Sequence, residues 1–155
     1  MNTNAYKELN GFLVDVFNEI LKTEQSCLKN IYDDISLKEM HVIEAVCMVE
    51  HAPNENQATP IANSLRITTG SLTTAVALLE KKGYLIRKKD EFDKRIVHIY
   101  ATDKGKAVNR YHQNFHEEMI DDINAALTDE ELNIFVRGLQ RIRSFFQVKN
   151  QKDNN

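Results

Sequence analysis

Between Thr59 and Thr102 the spacing of apolar residues changes from helical to alternating, and this change restricts the chain more than any other feature. Thr59-Pro60 reads as a helix start, a cap followed by proline at the first helical position. Ile61, Ala62 and Leu65 then follow at helical spacing. After a turn around Ile67-Thr68, Leu72, Val76 and Leu79 mark the buried side of a second helix from about Thr69. Gly83 ends it as the left-handed residue beyond a helix C-terminus. Two β-branched and aromatic runs come next, Tyr84–Arg87 and Ile96–Tyr100, with polar Lys88–Arg95 between them. Two helices joined by a short turn and followed by a hairpin predict a winged helix-turn-helix.

Long amphipathic helices flank this region. Leu9, Phe12, Leu13, Val16, Phe17 and Ile20 form one stripe, predicting a helix from about Ala5 to about Asn30 that Asp33-Asp34 breaks. Ser36-Leu37-Lys38-Glu39 is a capping box opening a helix through Met40, Ile43 and Val46. Ala52–Asn56 reads as a loop. Thr102-Asp103 caps a helix carrying Val108, Tyr111, Phe115 and Met119, and Thr128–Glu131 is a second capping box before a helix through Phe146. The predicted class is mainly α with a small β-hairpin wing. Residues 36–102 form the DNA-binding region, 1–35 and 103–148 supply dimerisation helices, and 149–155 form a flexible tail, all in one intertwined domain. The terminal stripes are too wide for a single small winged helix to cover, so a twofold homodimer is expected.

A net charge of −3 argues against generic adhesion to nucleic acid. A local patch overrides it. From Lys81 to Arg95 seven cationic residues stand against three acidic ones, a net of +4 that leaves −7 for the remainder. Arg87, Lys88, Lys89, Lys94 and Arg95 are candidate contacts to a duplex, with Thr59 at the start of the preceding helix. An arginine at a hairpin tip suits a narrow A/T minor groove, and Asp93 is placed to orient Arg95 through a charge-assisted hydrogen bond. A solvated surface pair is the alternative use of the same two residues. The second helix carries no Lys, Arg, Asn or Gln from Thr69 to Leu79. Thr69, Ser71, Thr73 and Thr74 offer hydroxyls for phosphates or base edges and methyls for thymine, or else merely cap and solvate the helix. The DNA expected is a double-stranded, A/T-rich inverted repeat.

Asp93-Lys94-Arg95-Ile96-Val97-His98-Ile99-Tyr100-Ala101-Thr102 resembles the wing pattern of the MarR family of transcription regulators. Leu79-Glu80-Lys81-Lys82-Gly83-Tyr84-Leu85 resembles the segment that ends that family's recognition helix. Phe12–Asn18, Ser36–His41 and Tyr111–His116 are similar to the FabT group within it, repressors of fatty-acid-synthesis genes. That resemblance implies a repressor with long acyl chains on acyl carrier protein as corepressor. Phe12, Val16, Ile20, Met40, Ile43, Phe115 and Met119 would line the acyl tunnel, and Arg110, Arg137 and Arg141 are candidates for meeting the acidic carrier. An ordinary helical dimer core explains the same apolar stripe.

His112 and His116 share one helix face at a spacing able to hold zinc, and His41 and Glu24 fall on the helices expected to pack nearby. A zinc-responsive repressor using this quartet is the alternative to a metal-free one with interior histidines. Cys27 and Cys47 lack paired spacing, so reduced, partly buried thiols are expected. No phosphate loop, nucleophile elbow or HExxH motif is present, and no enzyme activity is expected. The opening Met1–Tyr6 is not signal-like and no apolar run approaches ~20 residues, which predicts a cytoplasmic protein that does not engage membranes.

Overall fold

The computed structural model describes residues 3–52 and 54–152. The order is α1 (Thr3–Ile31), α2 (Leu37–Val49), α3 (Ala58–Leu65), α4 (Thr69–Lys81), β1 (Leu85–Lys89), β2 (Val97–Ala101), α5 (Asp103–Ala126) and α6 (Asp129–Lys152). The chain divides into two compact units, one up to Gln113 and one from Asn114 onward. No described helix is long and apolar enough to cross a membrane.

The first unit is the winged helix-turn-helix with α1 against it. Its core gathers Met40, Ile43 and Val46 from α2, Ile61 from α3, and Leu72, Val76 and Leu79 from α4. Tyr84, Leu85 and Ile99 close it from the hairpin and Val108 from α5. Leu28 is the contribution of α1, and Tyr111 donates a hydrogen bond to the Cys27 carbonyl at 3.2 Å. In the second unit, α6 opens with the expected capping box. The Thr128 amide reaches Glu131 Oε2 at 2.9 Å, and the Glu131 amide returns to Thr128 Oγ1 at 3.4 Å. Ile134, Phe135, Phe145 and Phe146 are exposed along that helix.

Local signals place most boundaries. Ser36 caps α2 reciprocally with Glu39, as expected. Thr68 caps α4 by accepting from the Ser71 amide at 3.1 Å. Gly83 sits at φ +80°, where a side chain is strained.

Three boundaries differ from the sequence reading. α3 begins at Ala58, with Gln57 at the cap and no side-chain cap bond, rather than at Thr59-Pro60. Pro60 remains in the first turn, where helix amides lack partners in any case. The strands lie one residue later than expected and β1 runs on to Lys89. Lys88 pairs with His98 and Lys89 with Val97, while Tyr84 leaves the strand to become a buried corner. A two-stranded hairpin open to water accepts lysines that a covered strand would exclude. Finally, α6 continues to Lys152, so 149–152 are helical rather than tail. Lysine and glutamine are good helix formers and nothing there interrupts the turn. The remaining expected tail, 153–155, and the first two residues lie outside the described residues, as does Pro53 in the predicted loop.

One corner joins α4, the hairpin and α5. The Thr102 hydroxyl donates to the Gly83 carbonyl at 2.6 Å and accepts from the Gly105 amide at 3.2 Å. The Thr102 amide donates to the Tyr84 carbonyl at 3.0 Å. Gly105 lies against that same carbonyl, and a Cβ there would be driven into it. Backbone cannot retreat as a side chain tip can. Gly105→Ala should therefore cost about 1–3 kcal/mol, the usual range for overpacking, read as a lowered urea midpoint. An unchanged midpoint would mean that this corner is not tightly packed in solution.

Candidate nucleic-acid interface

The wing loop is built by Asp90. Its Oδ1 accepts from the amides of Phe92 (2.8 Å) and Asp93 (2.9 Å). Its own amide donates to the Ile96 carbonyl at 3.0 Å, and Ile96 returns to the Asp93 carbonyl at 2.9 Å. The amides of Asp93 and Phe92 are the main reason its carboxyl lies below the usual carboxylate range. A second clasp ties the wing to the segment before α3. The His98 ring bridges Asn56 Oδ1 at 2.7 Å and Asp90 Oδ2 at 3.2 Å, and the Ile99 amide donates to the Asn56 carbonyl at 2.8 Å.

Arg95 stands at the tip with its side chain 91% exposed, and Asp93 holds it as expected. Nε donates to Asp93 Oδ1 at 2.9 Å and Nη2 to Oδ2 at 2.7 Å. This pairing lowers the Asp93 carboxyl and raises the Arg95 guanidinium. So exposed a pair adds little to folding. Its effect is direction: the guanidinium has five N–H donors, and those not committed to Asp93 stay open to a partner on this exposed side chain. Lys94 caps the Asp90 carbonyl at 2.9 Å, and Lys88 lies 5.5 Å from the Tyr100 ring centre. Arg87 is held by Glu80, with Nη2 to Oε2 at 2.7 Å and Nε to Oε2 at 3.0 Å. It braces the wing against α4 in addition to carrying charge.

The exposed face of α4 presents Thr69, Ser71, Thr73 and Thr74. Thr73 Oγ1 donates to the Thr69 carbonyl at 2.8 Å and Thr74 Oγ1 to that of Gly70 at 3.1 Å. Ser71 Oγ shares a 2.8 Å hydrogen bond with Thr68. The two threonines therefore offer lone pairs and methyls outward, not free hydrogens. Thr59 is exposed beside a cleft of about 520 Å³ that Asp93, Arg95 and Val97 also line.

Elsewhere in the first unit, Glu24, His41 and His112 come together with candidate ligand atoms within 4.8 Å of one another. Glu24 and His112 are buried, and the His41 and His112 rings meet edge-on at 5.6 Å. His116 is not part of this cluster among the described residues. It lies in the second unit, edge-on to Phe115 at 5.5 Å.

The MarR family profile matches residues 35–97. The crystal structure of Streptococcus pneumoniae FabT in complex with DNA superposes with a TM-score of 0.82 at 34% identity, covering 92% of this chain and 97% of that one. The chain belongs to the MarR family. SarZ of Staphylococcus epidermidis is 32% identical over 74 residues, 48% of this chain and 49% of SarZ, so the chain spans about half the length of the curated relatives it matches. A Staphylococcus aureus MepR–DNA complex, at 18% identity and TM-score 0.67 over 89% of this chain and 97% of that one, shares the fold.

Within this MarR-family chain the acyl-tunnel candidates fall in three settings. Phe12 is exposed and Val16 and Ile20 half-buried on α1, Met40 and Ile43 are fully packed in the winged-helix core, and Phe115 and Met119 belong to the second unit. Cys27 and Cys47 are free and partly buried, and burial pushes the Cys47 thiol up to about 11. That is an unreactive thiol at neutral pH.

Sequence reasoning missed Asn56 and His98. They lie 42 positions apart, and no local pattern links a loop asparagine to a strand histidine. The aspartates of the wing give a direct check. Asp90 and Asp93 are both depressed by bonds made only in the folded loop. Their contribution is thus present above the unfolded carboxylate value and is lost as pH falls through the lowered one. Carboxyl-carbon NMR should show both titrating below the ordinary aspartate value of about 3.9. Titration at that ordinary value would mean an unlocked loop.

Proposed function

We propose that this chain is a homodimeric, sequence-specific repressor of fatty-acid-synthesis genes, with long-chain acyl groups on acyl carrier protein as corepressor. The observation that carries the DNA-binding part is Arg95, exposed and oriented by Asp93 at the tip of a braced wing. The extent of the likeness to FabT, solved with DNA, supports the same reading. Two recognition helices would enter major grooves about one turn (~34–36 Å) apart on an A/T-rich inverted repeat, with each wing in a minor groove. Thr69, Ser71, Thr73 and Thr74 would read bases, and Arg87, Lys88, Lys89 and Lys94 would surround the phosphates with Thr59. Dimerisation is supported by the apolar side chains exposed on α1, such as Leu9, Phe12 and Phe17, and along α6. A second copy would cover them.

The corepressor follows from the resemblance to the FabT group and from the apolar residues of α1 and α5. Met40 and Ile43 are sealed in the core, which leaves Phe12, Val16 and Ile20 in the first unit and Phe115 and Met119 in the second as the candidates to meet an acyl chain. Bound chain would favour one separation of the two DNA-binding heads, and only its differential affinity for the two states shifts the DNA equilibrium.

A second reading, zinc responsiveness, is favoured by the Glu24–His41–His112 cluster. Two imidazoles and a carboxylate are a zinc-type donor set, though bonds of about 2.0–2.2 Å would require the three to draw closer. His116 belongs to the second unit and stands outside this cluster among the described residues.

Arg95→Ala should weaken binding to a selected duplex by about 1–3 kcal/mol with dimer mass unchanged. Unaltered affinity would make Arg95 a surface charge only. Titration of that binding with bare carrier protein, long-chain acyl carrier protein and zinc separates the two effectors. Affinity should rise with acyl length, reflecting about 0.8 kcal/mol per buried methylene, and Met119→Trp should blunt the response. A response to zinc alone, lost in His41→Ala, would favour the second reading.

A further inference from the structure

Phe92 is 96% exposed, the most exposed of the large apolar side chains among the described residues, with Met48 next at 77%. Its exposure is built in. The Phe92 amide is fixed on Asp90 Oδ1 at 2.8 Å, the next amide on the same oxygen at 2.9 Å, and Lys94 clamps the Asp90 carbonyl at 2.9 Å. The ring therefore projects from an ordered turn. In the sequence it lies between Lys88-Lys89 and Lys94-Arg95, with Asp90, Glu91 and Asp93 as its nearer neighbours. An exposed phenyl ring on a loop whose two ends carry four cations fits a partner that is polyanionic yet has apolar walls, and the minor groove, with phosphate rims and deoxyribose sides, is that surface.

We propose that Phe92 is a specificity-determining residue of the wing, lying in the minor groove beside Arg95 and penalising a guanine at the step it covers. This rests on the DNA-binding reading above. The floor of the groove presents only acceptors at A·T pairs, whereas guanine adds its 2-amino donor. Arg95 retains N–H donors for those acceptors, because Asp93 takes only part of the guanidinium. The phenyl ring has no acceptor to give. A guanine amino group beneath it would lose its water and gain no hydrogen bond, and an unmade bond of that kind costs more than a made one contributes. Selectivity then arises at the wing even though α4 carries no Lys, Arg, Asn or Gln from Thr69 to Leu79.

The test uses the full-length dimer and a duplex it selects from a random pool, with the minor-groove steps under the wings mapped by footprinting. Those steps are then changed from A·T to G·C and to inosine·C, which restores the bare groove floor while keeping the major-groove face of guanine. The native protein should bind the G·C duplex about tenfold more weakly and regain most of that loss with inosine·C. Phe92→Ala should shrink the G·C penalty to about twofold, and Phe92→Leu should keep most of it. A side chain so exposed is replaced without disturbing the core, which a native dimer mass and helix content would verify. A G·C penalty undiminished in Phe92→Ala, or an inosine·C duplex as weak as G·C, overturns the proposal while leaving the DNA-binding reading intact. Loss of dimer mass in Phe92→Ala would assign the ring to a protein contact and also overturn it. Failure to select any duplex, or Arg95→Ala binding all three equally to the native protein, would instead remove the underlying reading.

Discussion

The Tyr84 carbonyl accepts the Thr102 amide, and Gly105 packs against that same carbonyl. The wing and the end of α4 hang from this contact. It ties the C-terminal end of α4 to the return strand of the wing and to the first turn of α5. The Tyr84 side chain extends the tie: its hydroxyl donates to Asp34 at 2.6 Å, while Lys104 sits 3.9 Å above the ring. Burial raises the Tyr84 phenol, and the bond from Tyr84 is the main reason the Asp34 carboxyl is lowered. The phenol stays a donor and the carboxylate an acceptor across the neutral range. The angle between α4 and the wing is thus set by backbone and buried ring together, with Arg87–Glu80 bracing it from the surface.

The surface charges have another task. Arg95–Asp93 and Arg87–Glu80 are geometrically good pairs, but both are well exposed and screened. Their worth to folding is small, while their effect on direction is large. Each cation that would otherwise sweep a cone of rotamers is fixed before any partner arrives, so less conformational entropy is lost on binding. Lys82–Glu39 differs. Its two side chains are largely covered, at 24% and 13% exposure, and it locks the end of α4 to the start of α2. Opposing pulls act on Glu39: burial raises its carboxyl, but bonds from Lys82 and Ser36 together win and lower it.

What was legible in the sequence was what is decided within a few residues. Both capping boxes, the stop at Gly83, the Thr102 cap and the Asp93–Arg95 pair depend on neighbours at most four positions away, and all are present. The start of α3 was misplaced because proline is tolerated anywhere in a first turn, so it marks a helix start only loosely. Strand ends were misplaced because pairing at an exposed hairpin is fixed by the partner strand, which no single run reveals. Periodicity also cannot tell two apolar neighbours apart. Met40 and Ile43 carry the same pattern whether they face a tunnel or the winged-helix core, and only the packed fold shows the core. Of the expected quartet Glu24, His41, His112 and His116, the first three come together, while His116, suggested by its spacing from His112, is outside the cluster among the described residues.

The distribution of charge bears on how such a protein would find its site. Outside Lys81–Arg95 the chain carries −7, so a duplex is repelled by most of the surface and attracted by one segment. At physiological ionic strength the screening length is about 8 Å, short against the size of the domain, and the local +4 segment acts alone at close range. Non-specific affinity scales with the number of phosphates neutralised, and a single short cationic segment per protomer keeps that number low. With Arg87 partly engaged by Glu80 and the α4 threonines bonded back to their own helix, few groups are left to grip an arbitrary duplex. Two protomers binding together would then matter more than either alone, because linkage turns two weak, oriented contacts into one that requires the right half-site spacing. On a dimer, a weakly charged head would thus obtain selectivity from geometry, and a ligand that altered head separation would act on the most sensitive quantity.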